Sequence, residues 1–241
     1  MIKKVKSAVS FIFGNSINMR IRKKPWALPE LKKCKFFIDN PYDYRGKWID
    51  LFEKEQPIHL ELGTGKGTFI SEIASKNPQI NYIAVDIKND MLGYARRKIV
   101  RSYSGINREI NNVILVACNV ERIDLMMSDM DNIDRIYINF CNPWPKHKHK
   151  KRRLTYPTQL KNYRKFLIDF GEIYFKTDDD NLFNDSISYF MNNGFEIVFK
   201  TYDLHSEEIK DNIITEHEQM FIDMGNTIKF LIAKKCKVEG E

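Results

Sequence analysis

Along the chain, short apolar runs alternate with stretches whose apolar positions recur at helical spacing. The runs at 58–62, 82–85, 113–117, 135–140, 172–175, 195–200 and 227–233 are rich in Ile, Val, Leu, Phe and Tyr and predict seven strands. The intervening stretches at 68–76, 90–101, 156–168 and 181–191, with a shorter one at 120–127, predict helices. This alternation points to an α/β protein with a mostly parallel seven-stranded sheet and helices on both faces. The last two strand candidates have no long helix between them, so the final strand can enter antiparallel beside its neighbour, as edges of mixed sheets allow. Residues 1–40 read differently: KKPWALPELKK carries two prolines and no sustained period, which predicts a basic N-terminal arm ahead of one domain over 41–241. No internal repeat or low-complexity segment interrupts the pattern.

Composition adds boundaries. A chain of 241 residues fits one large domain. No apolar run approaches the roughly 18 residues of a membrane span, and MIKKVKSAVSFIFGN lacks a small-residue cleavage site, so a soluble cytoplasmic protein without a membrane partner is expected. Cys34, Cys118, Cys141 and Cys236 lie far apart without paired spacing, which suggests neither a disulfide framework nor a zinc site. The formal charge of +7 is concentrated in clusters at 3–6, 19–24 and 146–153. Such clusters suit a polyanion, because neutralised phosphates release counterions. His147 and His149 fit the basic face better than a metal site, and no metal is expected. A monomer and a homodimer both remain open.

The first candidate for chemistry is IHLELGTGKGTFI at 58–70, where Gly63, Gly65 and Gly67 alternate between a strand and a helix. A phosphate-cradling loop, G-x-x-x-x-G-K-[ST], is excluded because Lys66 is followed by Gly67 and position 60 is Leu. The dinucleotide fingerprint G-x-G-x-x-G would need glycine where Thr68 stands. A compact cofactor such as S-adenosylmethionine fits instead. Asp86 ends the second strand about twenty residues on, where an acid accepts the hydroxyls of a ribose. Glu61 ends the first strand, where its charge complements ammonium and sulfonium groups. A glycine triplet alone would serve any tight turn; the pairing with the two acids favours the cofactor.

The second candidate is INFCNPWPKHKHKKRRLT at 138–155, after the fourth strand. In a parallel sheet, ligands bind beyond the carboxyl ends of the strands, so Asn142-Pro143-Trp144-Pro145 faces the same crevice as the glycine loop. The attached run places Lys146, Lys148, His149, Lys150, Lys151, Arg152 and Arg153 beside it, as phosphate contacts that position without reading sequence.

The combination LELGTGKG, NFCNPWPKHKHKKRRLT, FKTDDDNLF and TEHEQMF, with RKKPW at 22–26, resembles the bacterial tRNA (guanine-N7-)-methyltransferases over nearly the whole chain. The resemblance implies a Rossmann-like class I methyltransferase fold, S-adenosylmethionine as methyl donor, tRNA as partner and a guanosine of the variable loop as target. Cofactor contacts would then fall on Glu61, Asp86, Asn119 and Asn142 together with the glycine loop. Substrate contacts would fall on Lys146, on Asp178 and on Thr215, Glu216, His217 and Glu218. The family often has Asp where this chain has Asn142.

Guanine N7 carries a lone pair and no proton, so attack needs no general base, and orientation carries much of the rate. Asp178 and Asn142 are the expected catalytic pair, Asp178 supplying charge opposite the developing purine cation. In TDDD, one Asp also suits a helix N-cap. TEHE, without the resemblance, reads as a polar loop or helix start. Other readings stay open. Asn-Pro-aromatic also resembles the loop of methyltransferases acting on exocyclic amino groups, where the Asn oxygen and a proline carbonyl accept the amine's protons. Cys141 raises a covalent C5-pyrimidine mechanism, and an RNA-binding protein without activity is the alternative outside enzymes.

Overall fold

The computed structural model describes residues 23–209 and 212–237. Its strands are β1 (Phe37–Ile38), β2 (Ile58–Leu62), β3 (Asn81–Asp86), β4 (Val113–Ala117), β5 (Ile133–Asn139), β6 (Leu167–Thr177), β7 (Phe195–Thr201) and β8 (Lys229–Lys235). The helices are α1 (Ala27–Lys32), α2 (Thr68–Lys76), α3 (Asn89–Gly105), α4 (Ile123–Met126), α5 (Pro157–Phe166), α6 (Asp180–Met191) and α7 (Glu216–Asp223). The strands join in one sheet in the order β1-β4-β3-β2-β5-β6-β8-β7, parallel except for β8, which runs antiparallel to β6 and to β7.

Helices cover both faces. Ile58, Leu60 and Leu62 of β2 point into a core closed by Leu160 and Tyr163 of α5 and by Phe183 and Phe190 of α6. The opposite face presents Tyr82, Ala84, Leu115 and Tyr137 to Phe69 and Ile70 of α2 and to Leu92, Ala95 and Ile99 of α3. Every residue of β2 is buried, as a central parallel strand requires. On its two sides lie β3 and β5, so chain connections diverge above it and open a crevice at the strands' carboxyl ends.

Three features depart from the expected pattern. Among the described residues there are eight strands rather than seven, because Phe37 and Ile38 pair in parallel with Leu115 and Val116; a two-residue strand is too short to leave a period. The final strand is antiparallel, yet it sits inside the sheet and leaves β7 at the edge. The helix expected over 156–168 stops at Phe166, and β6 begins at once. The β5–β6 register then jumps from Ile133–Leu167 to Arg135–Glu172, so residues 168–171 bulge, with Phe170 at φ 63.

Of the segment expected as a basic arm over 1–40, residues 1–22 lie outside the described residues. The remainder packs against the domain. Ala27 and Leu31 of α1 are buried, Glu30 pairs with Arg96 and Arg97, and Trp26 sits edge-on to Tyr94 with the Arg97 guanidinium 3.5 Å from its ring centre.

Gly67 caps α2 with φ 78, and a Cβ there would overlap Ala95 Cβ and stand 2.5 Å from Ala95 Cα. It is the point where α2 meets α3. Gly67→Ala combines left-handed strain with overlap against backbone, each costing about 1–3 kcal/mol. The variant should therefore melt at least about 5 °C lower in calorimetry, even without ligand.

Candidate active site

Above the carboxyl ends of β2, β3, β4 and β5 lies a cleft of about 740 Å³, within the range of small-molecule sites. Its lining combines Glu61, Gly63, Gly65 and Gly67, then Asp86, Asn119, Asn142, Arg152, and Thr215, Glu216 and His217. The two loops singled out in sequence thus share one cavity.

The glycine loop leaves β2 by a turn in which Gly63 and Thr64 both donate to the Val85 carbonyl, at 2.9 and 3.0 Å. Gly63 and Gly65 have φ 83 and 53, and among the described residues nothing lies within 4 Å of where a side chain would begin. Backbone there can approach a ligand directly. One carboxylate oxygen of Asp86 accepts from Gly65 N at 2.9 Å and the other from Lys88 N at 2.8 Å, so this acid also shapes the loop. Burial raises its pKa. Glu61 is buried, accepts from the Thr64 hydroxyl at 2.5 Å and lies 3.4 Å from Asn139 Nδ2. Its burial pushes the carboxyl up to about 7. An acid so placed has its ionised form stabilised by a cationic ligand. The open positions at Gly63 and Gly65 and the buried acid fit S-adenosylmethionine.

The loop after β5 is held more tightly than sequence suggests. Asn142 Oδ1 accepts from Trp144 N at 3.1 Å, with Trp144 at φ 42. Arg153 Nε donates to the Pro143 carbonyl at 2.7 Å, and Arg153 Nη1 to Asp185 Oδ2 at 2.6 Å. Lys150 Nζ reaches that same oxygen at 2.5 Å. Arg152 stacks 4.0 Å over Trp144 while its Nε donates to Glu121 at 2.9 Å. Asn119 caps the following turn, accepting from Glu121 N at 3.0 Å. The basic run therefore divides. Lys146, Lys148 and Lys151 are exposed, whereas Lys150 and Arg153, expected as phosphate contacts, spend their charges on Asp185. Every residue of the run looks alike in sequence; its 3₁₀ turn, 147–152, decides which face inward.

The three aspartates after β6 take separate roles. Asp179 caps α6, accepting from Leu182 N at 2.6 Å, and Asp180 pairs with Lys229 at 3.0 Å. Asp178 is half-buried, outside the cleft lining but close enough to His217 and Cys141 for charge to be felt, and burial raises its pKa.

The segment at 215–218 is a helix start: Thr215 Oγ1 accepts from Glu218 N at 3.1 Å. Glu216 bridges Lys98 at 2.6 Å and Lys66 at 3.5 Å across the glycine loop. His217 stacks on Phe140. Glu218 is not brought to the cleft: fully buried, it meets Lys176 Nζ at 3.1 Å and Asn212 Nδ2 at 3.0 Å, with His205 Nε2 at 3.4 Å. Lys24, Lys66, Ile87, Tyr94 and Phe140 also line the cleft and were missed. Ile87 had a signal, an apolar residue straight after the strand-end acid, and it is 60% exposed. Among the described residues, no three His, Cys, Asp or Glu side chains gather as a metal site.

Residues 55–231 match the Methyltransf_4 model, described as a methyltransferase family. A tRNA (guanine-N(7)-)-methyltransferase of Clostridium beijerinckii is 56% identical, over 90% of this chain and 99% of its own. One of Clostridium perfringens strain SM101 is 54% identical, over 90% of this chain and 100% of its own. The chain belongs to the tRNA (guanine-N(7)-)-methyltransferase family. Among solved structures, the 16S rRNA methyltransferase KamB matches with TM-score 0.58 at 11% identity, over 78% of this chain and 92% of that one. A structure titled an antibiotic-related methyltransferase matches with TM-score 0.56 at 17% identity, over 83% and 96%. These two show a shared fold, the Rossmann-like class I methyltransferase architecture.

Because Glu61 ionises near pH 7 in the free protein, a cationic ligand binds its carboxylate form and affinity weakens as the pH falls. From about pH 8 to about pH 6, S-adenosylmethionine affinity should drop about tenfold relative to Glu61→Gln. Calorimetric titration of both proteins checks this; parallel profiles would remove Glu61 from the cationic end of the ligand.

Proposed function

We propose that this chain transfers the methyl group of S-adenosylmethionine to N7 of a guanosine in tRNA, in the variable loop, with the reaction at the meeting of the glycine loop, Asn142 and Asp178. When bound, S-adenosylmethionine supplies an electrophilic methyl group on a sulfonium centre. Glu61, Gly63, Gly65, Asp86 and Asn119 are the residues that would hold it. The observation that carries the choice of nucleophile is the state of the acceptors beside it. An exocyclic amine needs two acceptors turned toward it, whereas one lone pair of the Asn142 oxygen and one of the Pro143 carbonyl are held within the loop by Trp144 N and Arg153 Nε. A nitrogen that attacks with a lone pair and loses no proton makes no such demand. The Cys141 thiol is pushed up to about 12 by burial, which disfavours a covalent pyrimidine mechanism.

Asp178 remains for the charge that develops on the purine and for guanine's N–H donors. Among the described residues, its neighbours Asp179 and Asp180 are engaged with α6 and Lys229. The exposed Lys146, Lys148 and Lys151 hold phosphates along the rim. The enzyme acts on tRNA in the cytoplasm, as a monomer or homodimer.

Unmodified tRNA incubated with labelled cofactor should yield N7-methylguanosine on nucleoside analysis; label in an exocyclic amine or a pyrimidine would refute the proposal. Under single-turnover conditions, Asp178→Asn should lower the rate by about 10²–10³, the usual loss for one preorganised electrostatic partner. Asn142→Asp should stay active, because a carboxylate oxygen also accepts from Trp144 N. An unaffected Asp178→Asn or a dead Asn142→Asp overturns these roles. Replacing Lys148 and Lys151 by Ala should lower the salt slope of tRNA binding by roughly 0.7–0.9 for each phosphate no longer neutralised, with cofactor affinity unchanged.

A further inference from the structure

Arg153, Lys150 and Asp185 are poor phosphate ligands as a group, since their charges answer one another. We propose that Asp185 is a positioning residue for methyl transfer, acting through Arg153 to fix the loop that carries Asn142. The Arg153 side chain is 1% exposed, a buried cation that needs an anion. Its guanidinium is planar and donates along set directions. One edge holds the Pro143 carbonyl at 2.7 Å and another the Asp185 carboxylate at 2.6 Å, so the two acceptors fix each other's distance.

Both acceptors belong to elements that carry site residues. Pro143 follows Asn142. Asp185 lies on α6, whose N-cap, Asp179, follows Asp178. The clamp thereby ties the spacing of the Asn142 loop to the helix that begins beside Asp178, across 32 residues of chain. The held loop is strained, with Trp144 at φ 42, a conformation that persists only where surroundings over-determine it. Lys150 Nζ on the same carboxylate oxygen adds a second strut from the basic run. Without the Asp185 charge, the long Arg153 side chain gains by turning to water and releases the Pro143 carbonyl.

This inference rests on the proposed placement of Asn142 and Asp178 at the reaction centre. Three variants test it: Asp185→Asn, Arg153→Lys, and Arg153→Met combined with Asp185→Leu. A Lys ammonium keeps the ion pair with Asp185, but its three donors radiate from one atom, so the planar two-edged hold on Pro143 and Asp185 is lost. The double variant replaces both charges by apolar groups and restores stability without the tether. In single-turnover assays with saturating tRNA and cofactor, all three should be slower by at least about tenfold, since misplacement by about 1 Å can cost about 10²-fold. Calorimetric S-adenosylmethionine affinity should fall by a smaller factor than the rate, because Glu61, Asp86 and the glycine loop are untouched. If the double variant recovers the parent rate along with its melting temperature, or if Arg153→Lys methylates at the parent rate, the clamp is structural only and the proposal falls. A parent protein that forms no N7-methylguanosine overturns the functional reading itself, and the positioning role with it; that failure is visible before any variant is made.

Discussion

The Lys176 ammonium lies inside the protein near the end of β6, and a charge taken out of water is costly unless something answers it. Burial lowers its pKa, and the Glu218 carboxylate opposes that shift. Asn212 and the Ile213 carbonyl complete its shell. All three partners come from the chain after β7, so Lys176 is paired only when that segment folds back over the strand ends. Thr215, Glu216 and His217 arrive with it and become one wall of the cleft. Glu216 then joins that wall to the glycine loop through Lys66 and to α3 through Lys98, exposed contacts of small energetic weight beside the buried pair. Lys176 also favours ionisation of Glu61, so the anchor of the wall and the acid of the site are electrically coupled.

Among the described residues, the polar groups in and around the cleft divide into those committed to the protein and those left over. Asn142 Oδ1, Asn119 Oδ1, the Pro143 carbonyl, Arg153 and Glu218 are committed. Asp178 and the open backbone of Gly63 and Gly65 are left over, and Glu61 needs a cation to complete it. This division suits a reaction in which positive charge enters and moves while no proton has to leave. It also gives Asn142 a role of its own: the side chain's oxygen organises its own turn.

Much of this was legible in the sequence, for reasons that separate the two classes of residue. β2 to β5 are largely buried, so apolar residues dominate them even though His59 and Glu61 interrupt β2 and Asp134 and Arg135 interrupt β5, and the glycine loop and the Asn142-Pro143-Trp144-Pro145 loop follow β2 and β5 closely. What escaped was decided by partners distant in the chain. Arg153 differs from Lys151 only because Asp185 waits 32 residues on. Glu218 turns inward because Lys176 is there, although the Thr215-to-Glu218 spacing is that of a helix cap. Gly67 looks like its two companions and is instead the point that touches Ala95. α1 and β1 are six and two residues long, below what periodicity resolves.

The position of β8 has a consequence for how the molecule is assembled. β6 and β7 do not pair with each other; β8 lies between them and supplies both ladders, six residue pairs on each side. It follows both of them in the chain. During synthesis, then, β6 stands with an open edge while β7 emerges, and β7 has no place in the sheet until the later strand is made. The buried Lys176 sits on that same open edge, opposite Phe230 of β8. The order of translation therefore withholds closure of the sheet and burial of its deepest cation until the last ladder forms, leaving the half-finished sheet an unpaired edge to shield from other chains in the meantime.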